Sequence, residues 1–192
     1  MKKIYLFLFA TIMLVSCNSG KNVAPFEIGD SRDVVINTIA NDFTICGEHW
    51  SKERILDREH LEHNGFRKVI TLYECKYNGQ EYYKVRVYFS YNKISRMELV
   101  IEKDKMKSLH KRLRSKYGEA HRTSLPRGLA GLPPMWETST VYLGDIDGVI
   151  VTEDDQDVVR TRPDGTTTEE HADTYELIIV SGEQYYELKR FI

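Results

Sequence analysis

Apolar residues recur along this chain with two different periods, and the changes of period mark its elements. Val35, Ile36, Ile39 and Phe43 fall at helical spacing and predict a helix from Arg32 to about Asp42, with Ser31 or Asp30 as N-cap. In the middle of the chain the period drops to two. Tyr77-Asn78-Gly79-Gln80 is a hairpin signal, because Asn-Gly suits the positive φ values of a type I′ turn. Folding the chain there sets Leu72 against Val85 and Ile70 against Val87. Ile70, Leu72, Tyr83, Val85, Val87 and Phe89 then form one apolar face, and Cys75, Tyr73, Tyr82, Lys84, Arg86 and Tyr88 form the other. A two-residue loop at Tyr91-Asn92 would put Arg96 and Glu98 opposite the valines. A three-residue loop, Tyr91-Asn92-Lys93, puts Met97, Leu99 and Ile101 there and is the expected register.

Helical spacing returns over 104–117, where Met106, Leu109, Leu113 and Tyr117 make one stripe and Gly118 ends it. The apolar face of the meander is the natural destination for that stripe. The expected class is therefore α+β: an antiparallel β-meander with helices packed on one face.

In the last third, Arg162-Pro163-Asp164-Gly165-Thr166 is a turn signal, with Pro presetting φ and Gly taking the left-handed position. Mirroring the chain about it sets Val149-Ile150-Val151 opposite Leu177-Ile178-Ile179. Between those runs, 152–161 and 167–176 are mostly polar, which predicts a long C-terminal β-hairpin arm projecting from the core. It carries Glu153, Asp154, Asp155, Asp157, Glu169, Glu170 and Asp173 against Arg160 and Arg162. A strandless acidic loop is the alternative. Residues 181–192 read as either a short helix or a strand, since Tyr186, Leu188 and Ile192 alternate.

Two stretches are less regular. Ser51 to His63 reads as a second helix with few apolar residues, and its His60 and His63, beside Glu59 and Glu62, lack the further ligands a zinc site needs. Arg122 to Trp136 is a Pro/Gly-rich connection whose Leu125, Leu129, Leu132 and Trp136 either pack back or form a contact patch. Asp145-Ile146-Asp147-Gly148 lacks the remaining ligands of a calcium loop.

The front of the chain changes the picture. Lys2 and Lys3 precede a twelve-residue apolar run, Ile4 to Val15, too short for the roughly 20 residues of a membrane-spanning helix and shaped like a secretory signal. Its end, Leu14-Val15-Ser16-Cys17, resembles the lipobox of bacterial lipoproteins. That resemblance implies cleavage before Cys17, lipidation of Cys17, and a location in the cell envelope. Asn18 stands where Asp retains such lipoproteins in the inner membrane, which implies the outer membrane. An ordinary signal peptide cut near a cysteine is the alternative. Residues 1–16 are then the signal peptide, 17–25 the lipidated cysteine and tether, and 26–192 a single α+β domain. The opening Phe26-Glu27-Ile28-Gly29-Asp30-Ser31 with its helix is similar to the start of small envelope lipoproteins of the SmpA/OmlA kind and of the β-lactamase-inhibitor-like fold. Here Asp30 replaces the usual apolar residue and no Gly-x-Pro closes the helix.

The formal net charge is −2, and two of the 27 basic residues belong to the leader, so no basic excess exists to draw nucleic acid. With Cys17 spent on lipid, Cys46 and Cys75 are a candidate disulfide in an oxidising compartment, two separate thiols being the alternative. No GxSxG, HExxH, Walker or GxGxxG pattern occurs, and no catalytic residue, metal or cofactor is assigned. The expected role is a non-enzymatic protein–protein interaction module, held to a membrane through its lipid and meeting an unidentified envelope protein through the arm. A small-ligand or glycan binder using Trp50, Trp136 and the tyrosines is the alternative, and an envelope hydrolase a third reading.

Overall fold

The computed structural model describes residues 23–61, 67–125, 138–161, 166–190 and 192, with the strand segments 154–161 and 167–171 followed by backbone alone. Helix α1 (Arg32–Asp42) runs into strand β1 (Phe43–Ile45), followed by α2 (Lys52–Leu56) and β2 (Glu59–Leu61). Strands β3 (Lys68–Tyr77), β4 (Gln80–Ser90) and β5 (Lys93–Glu102) form the meander. A 3-10 turn at Lys103–Lys105 leads into α3 (Met106–Tyr117). Strands β6 (His121–Ser124), β7 (Thr138–Leu143), β8 (Asp147–Thr161) and β9 (Thr167–Ser181) come next, and α4 (Gly182–Lys189) follows. Among the described residues the nine strands make one sheet in the order β1-β3-β4-β5-β9-β8-β7-β6, with β2 also on β3. The pairings are antiparallel, and the class is α+β.

The predicted first helix forms at Arg32–Asp42. Ser31 Oγ accepts the Val34 N–H, and Val35, Ile36 and Ile39 are buried. The expected second helix is much shorter. Ser51 caps it, but it stops at Leu56 with Ile55 its one buried residue. So small an apolar face cannot hold a longer helix on the core, and Glu59–Leu61 instead pairs along the edge of β3.

The meander has the expected partners: Leu72 faces Val85, Ile70 faces Val87, and Met97 and Leu99 face Val87 and Val85. Its second turn corrects the sequence reading. Tyr91 and Asn92, at φ 51° and 59°, make a two-residue turn closed by Ser90 and Lys93. A bulge then restores the apolar register, because Phe89 faces Ile94 while Tyr88 faces Arg96, leaving Ser95 as the extra residue.

A second correction concerns the faces of the first hairpin. Glu74 adopts a left-handed conformation at φ 48°. Pairing stays in register from Tyr73↔Lys84 to Cys75↔Tyr82, yet the alternation of sides inverts there. Cys75 and Tyr82 enter the core with Leu72 and Val85, and Tyr83 is half-buried. Strict alternation places all three on the opposite side, because it assumes every residue is extended.

Two apolar clusters lie on the two sides of the sheet. The larger one joins Val35, Ile36 and Ile39 of α1 and Met106, Leu109 and Leu113 of α3 to inward residues of the strands, including Val149, Val151, Leu177 and Ile179. The smaller one joins Tyr185 and Leu188 of α4 to Val141, Ile150, Ile178 and Val180. The expectation that helices pack on one face is thus corrected by α4. Strands β8 and β9 are apolar on both faces near their base, so both faces need cover. The ambiguity at 181–192 resolves as helix, and Leu125, from the Pro/Gly-rich connection, packs into the smaller cluster.

The mirrored register of the last hairpin is observed: Val149 faces Ile179, Ile150 faces Ile178, and Val151 faces Leu177. Strand β5 accompanies β9 only over Thr174–Val180, and β7 accompanies β8 only over 148–151. Past those limits β8 and β9 pair only with each other among the described residues. Residues Cys17, His63, Trp136 and Arg162 lie outside the described residues, as do the side chains of Asp154, Asp155, Asp157, Arg160, Glu169 and Glu170.

Candidate functional site

The end of the sheet where β3 turns into β4 holds a cleft of about 360 Å³. Thr44, Gly47, Glu74, Tyr82, Tyr83 and Glu102 are among its lining residues, together with the buried Cys75. The left-handed Glu74 builds it, since the inversion turns the Cys75–Tyr82 pair inward. Its rim is acidic. Glu74, Glu81 and Glu102 stand against Lys76, whose ammonium lies 3.4 Å from Glu81.

The cleft borders the root of the β8–β9 extension. Glu102 closes β5 and faces Thr174, and from there the extension continues without β5. The next residue, Lys103, lies 2.6 Å from the Glu153 carboxylate and 3.6 Å from Asp173, and the Tyr175 hydroxyl donates to Glu153 at 3.3 Å. Lys103 holds the Glu153 carboxyl below its ordinary range, first through the hydrogen bond and then through its charge. These groups are exposed, so they orient the base of the extension more than they stabilise the fold.

Cys46 and Cys75 are brought close. Ile45 faces Cys75, and the Cys46 N–H donates to the Glu74 carbonyl at 2.9 Å. Both carry free thiols in this structure, Cys46 exposed and Cys75 buried, so the candidate bridge is not formed here. Burial pushes the Cys75 thiol up to about 12. Burial and then the Glu74 carboxylate raise that of Cys46. Both thiols are protonated near neutral pH, the form that is a poor nucleophile and a poor metal ligand. Among the described residues no three His, Cys, Asp or Glu side chains converge on a metal position.

Trp50 does not offer the expected stacking surface. It is 7% exposed, with the Arg54 guanidinium 4.4 Å and that of Arg58 5.6 Å from its ring centroid. His60 lies exposed on β2, and its neighbour Glu59 is spent on Arg32 and Lys68. Tyr117 donates to Asp147 at 2.8 Å, an architectural use of the acid from the discarded calcium pattern.

The opposite side of the meander holds a group that alternation alone treats as a solvated surface. Arg96 and Glu98 are 4% and 5% exposed. Glu98 accepts hydrogen bonds from Arg96 at 2.5 Å, from the Tyr88 hydroxyl at 2.8 Å and from Arg86 at 3.3 Å. Burial, foremost, and the Glu98 carboxylate push the Tyr88 hydroxyl up to about 12. The register held the clue, since Arg86 faces Glu98 and Tyr88 faces Arg96. No family model, curated protein or solved structure matches this chain, and the candidate site therefore stands on its geometry alone.

Proposed function

We propose that this chain is a lipoprotein of the bacterial outer membrane, anchored by lipid on Cys17, that works by protein–protein contact through the β8–β9 hairpin as a projecting arm. The leader pattern supports the anchor. The arm reading is carried by one observation: the β8–β9 ladder continues beyond both its neighbours, to Thr161 and Thr167. A paired ribbon with polar sequence on both sides has no core to cover, and its acidic residues suit a basic partner surface. The test is an in-cell crosslinking capture with the tagged full chain, beside a chain whose residues 153–173 are replaced by a short turn. A specific envelope protein captured by the first and lost from the second is the expected result. Equal capture by both overturns the arm.

The cleft favours one second reading, a small-ligand site. Its volume fits a ligand of modest size, and Tyr82 and Tyr83 with the acidic rim suit a cationic or hydroxyl-rich molecule. Thermal-shift screening with amines and sugars tests it. A hit lost on Tyr83→Ala moves the function to the cleft.

A further inference from the structure

We propose that α3 lays its basic outer face on the anionic phospholipid headgroups of the anchoring membrane, so that the domain lies on its side. The proposal rests on the Cys17 anchor. Helix α3 carries Lys107, Lys111, Arg112, Arg114 and Lys116 and no acidic residue, in a chain whose net charge is −2. Met106, Leu109 and Leu113 are buried against the sheet. At about 100° per residue, Lys107, Lys111 and Arg114 fall on one flank of the outer side. Ser108 and Ser115 lie beside them, while Arg112 lines the crevice under the helix and Lys116 turns back to within 3.9 Å of Asp147. The whole solvent side is therefore cationic or hydroxylic. Its apolar stripe is used up in the core, so this is an electrostatic face, not an inserting one.

The path of the chain brings that face to the membrane. Val23 is 5% exposed and lines the same crevice as Gln80, Tyr82, Leu109 and Arg112. The tether therefore enters between α3 and the sheet. Residues 18–22 separate it from Cys17, a span of about 20 Å at full stretch. The β8–β9 ladder leaves the sheet at this same end, because Thr174 faces Glu102 at the end of β5, beside the cleft residue Tyr82. It runs eight register pairs from Asp154↔Thr174 to Thr161↔Thr167, about 25 Å at roughly 3.4 Å per residue. With that end toward the bilayer, the short tether would drive an acidic ribbon into the headgroups and beyond, which charged side chains resist. Lying on its side relieves this. The side next to the tether is that of α3, whose lysines then come within a Debye length (about 8–10 Å) of the anionic surface.

The test uses the full chain bound to vesicles of phosphatidylcholine alone or with added phosphatidylglycerol, pulsed with a lysine-acylating reagent and read by mass spectrometry. Lys93, at the Tyr91-Asn92 turn on the opposite end of the meander, is the internal reference. The expected result is several-fold slower acylation of Lys107 and Lys111 on the anionic vesicles, with Lys93 unchanged and the protection lost in high salt. In a Lys107→Gln/Arg114→Gln chain, Lys111 should lose its protection while the chain stays vesicle-bound. Equal rates on both vesicle types with the chain retained overturn the orientation and leave the anchor standing. A chain that washes off both vesicle types overturns the anchor, and the orientation with it.

Discussion

Arg32 of α1 grips Glu59 of β2 with a two-pronged contact, Nε to Oε1 at 2.5 Å and Nη2 to Oε2 at 2.8 Å, and Lys68 adds a second cation at 3.5 Å. The pair bolts the helix to the edge strand that replaces the expected longer second helix. Glu59→Gln should cost about 1–3 kcal/mol by leaving Arg32 half-buried without its counter-charge. Burial pushes the Glu59 carboxyl up, but the Arg32 hydrogen bond and charge, with Lys68, outweigh it and hold it below its ordinary 4.5. A carboxyl depressed in the folded state stabilises above its unfolded value and loses that contribution as pH falls through the folded one. Denaturant midpoints taken from pH 7 down through the carboxylate range should therefore fall less steeply on the acid side in Glu59→Gln than in the parent chain. Parallel curves would refute the assignment.

Glu98 balances two guanidinium groups in a site nearly closed to water. Glu98→Ala leaves Arg96 buried without that carboxylate and should cost about 3–5 kcal/mol. Replacing the buried pair with apolar residues of similar volume, Arg96→Met with Glu98→Leu, should recover part of it, the Tyr88 hydroxyl and Arg86 having lost the Glu98 acceptor. A double variant no better than Glu98→Ala in urea melts would show that the pair does more than neutralise itself.

The two thiols give a redox prediction. Because both thiols are shifted upward, Cys75 by burial and Cys46 by partial burial and the Glu74 carboxylate, bridging should be slow at neutral pH and faster as pH rises. In an oxidising buffer the domain should become lighter by two hydrogens, with Cys46 and Cys75 in one crosslinked peptide. On the chain-entropy model the closed loop should add about 3–4 kcal/mol. Intact mass after prolonged oxidation checks the first point and denaturant midpoints the second. Persistent free thiols at high pH would show that the local backbone forbids the bridge.

Leu188 tests the smaller core. It is fully buried on the face away from α1 and α3, and a methyl at Gly148 would come within 3.1 Å of its side chain. Leu188→Ala should cost about 2–5 kcal/mol. Hydrogen exchange should quicken first at Ile150 and Ile178, with α1 amides affected only through global unfolding.

The meander and the terminal hairpin were legible because each depends on a local turn plus a period-two pattern. Asn78-Gly79 and the Pro163-Asp164-Gly165 sequence signal predicted the pairings of Leu72 with Val85 and of Ile150 with Ile178 without any tertiary knowledge. What escaped was the departure from the extended conformation. Nothing in the side chain of Glu74 announces a left-handed backbone, so the inward turn of Cys75 and Tyr82, and the cleft with it, could not be read. The bulge at Ser95 was hidden for the opposite reason, since it yields the register a longer loop would have given. The buried Arg96–Glu98 group looked like surface because its residue types usually are, although its cross-strand partners already balanced. The role of α4 was obscured by a segment whose apolar residues suit either period.

Strands β8 and β9 contribute alternate residues to two separate cores, and this makes them a party wall. Val149, Val151, Leu177 and Ile179 lean on one store of packing, while Ile150, Ile178 and Val180 lean on the other. A fluctuation that empties either side removes backing from the same backbone that serves its neighbour. Weakening either half therefore lowers the stability of the other. A chain that loses α4 to truncation or proteolysis is exposed to failure at α1 as well, on the other face of the sheet.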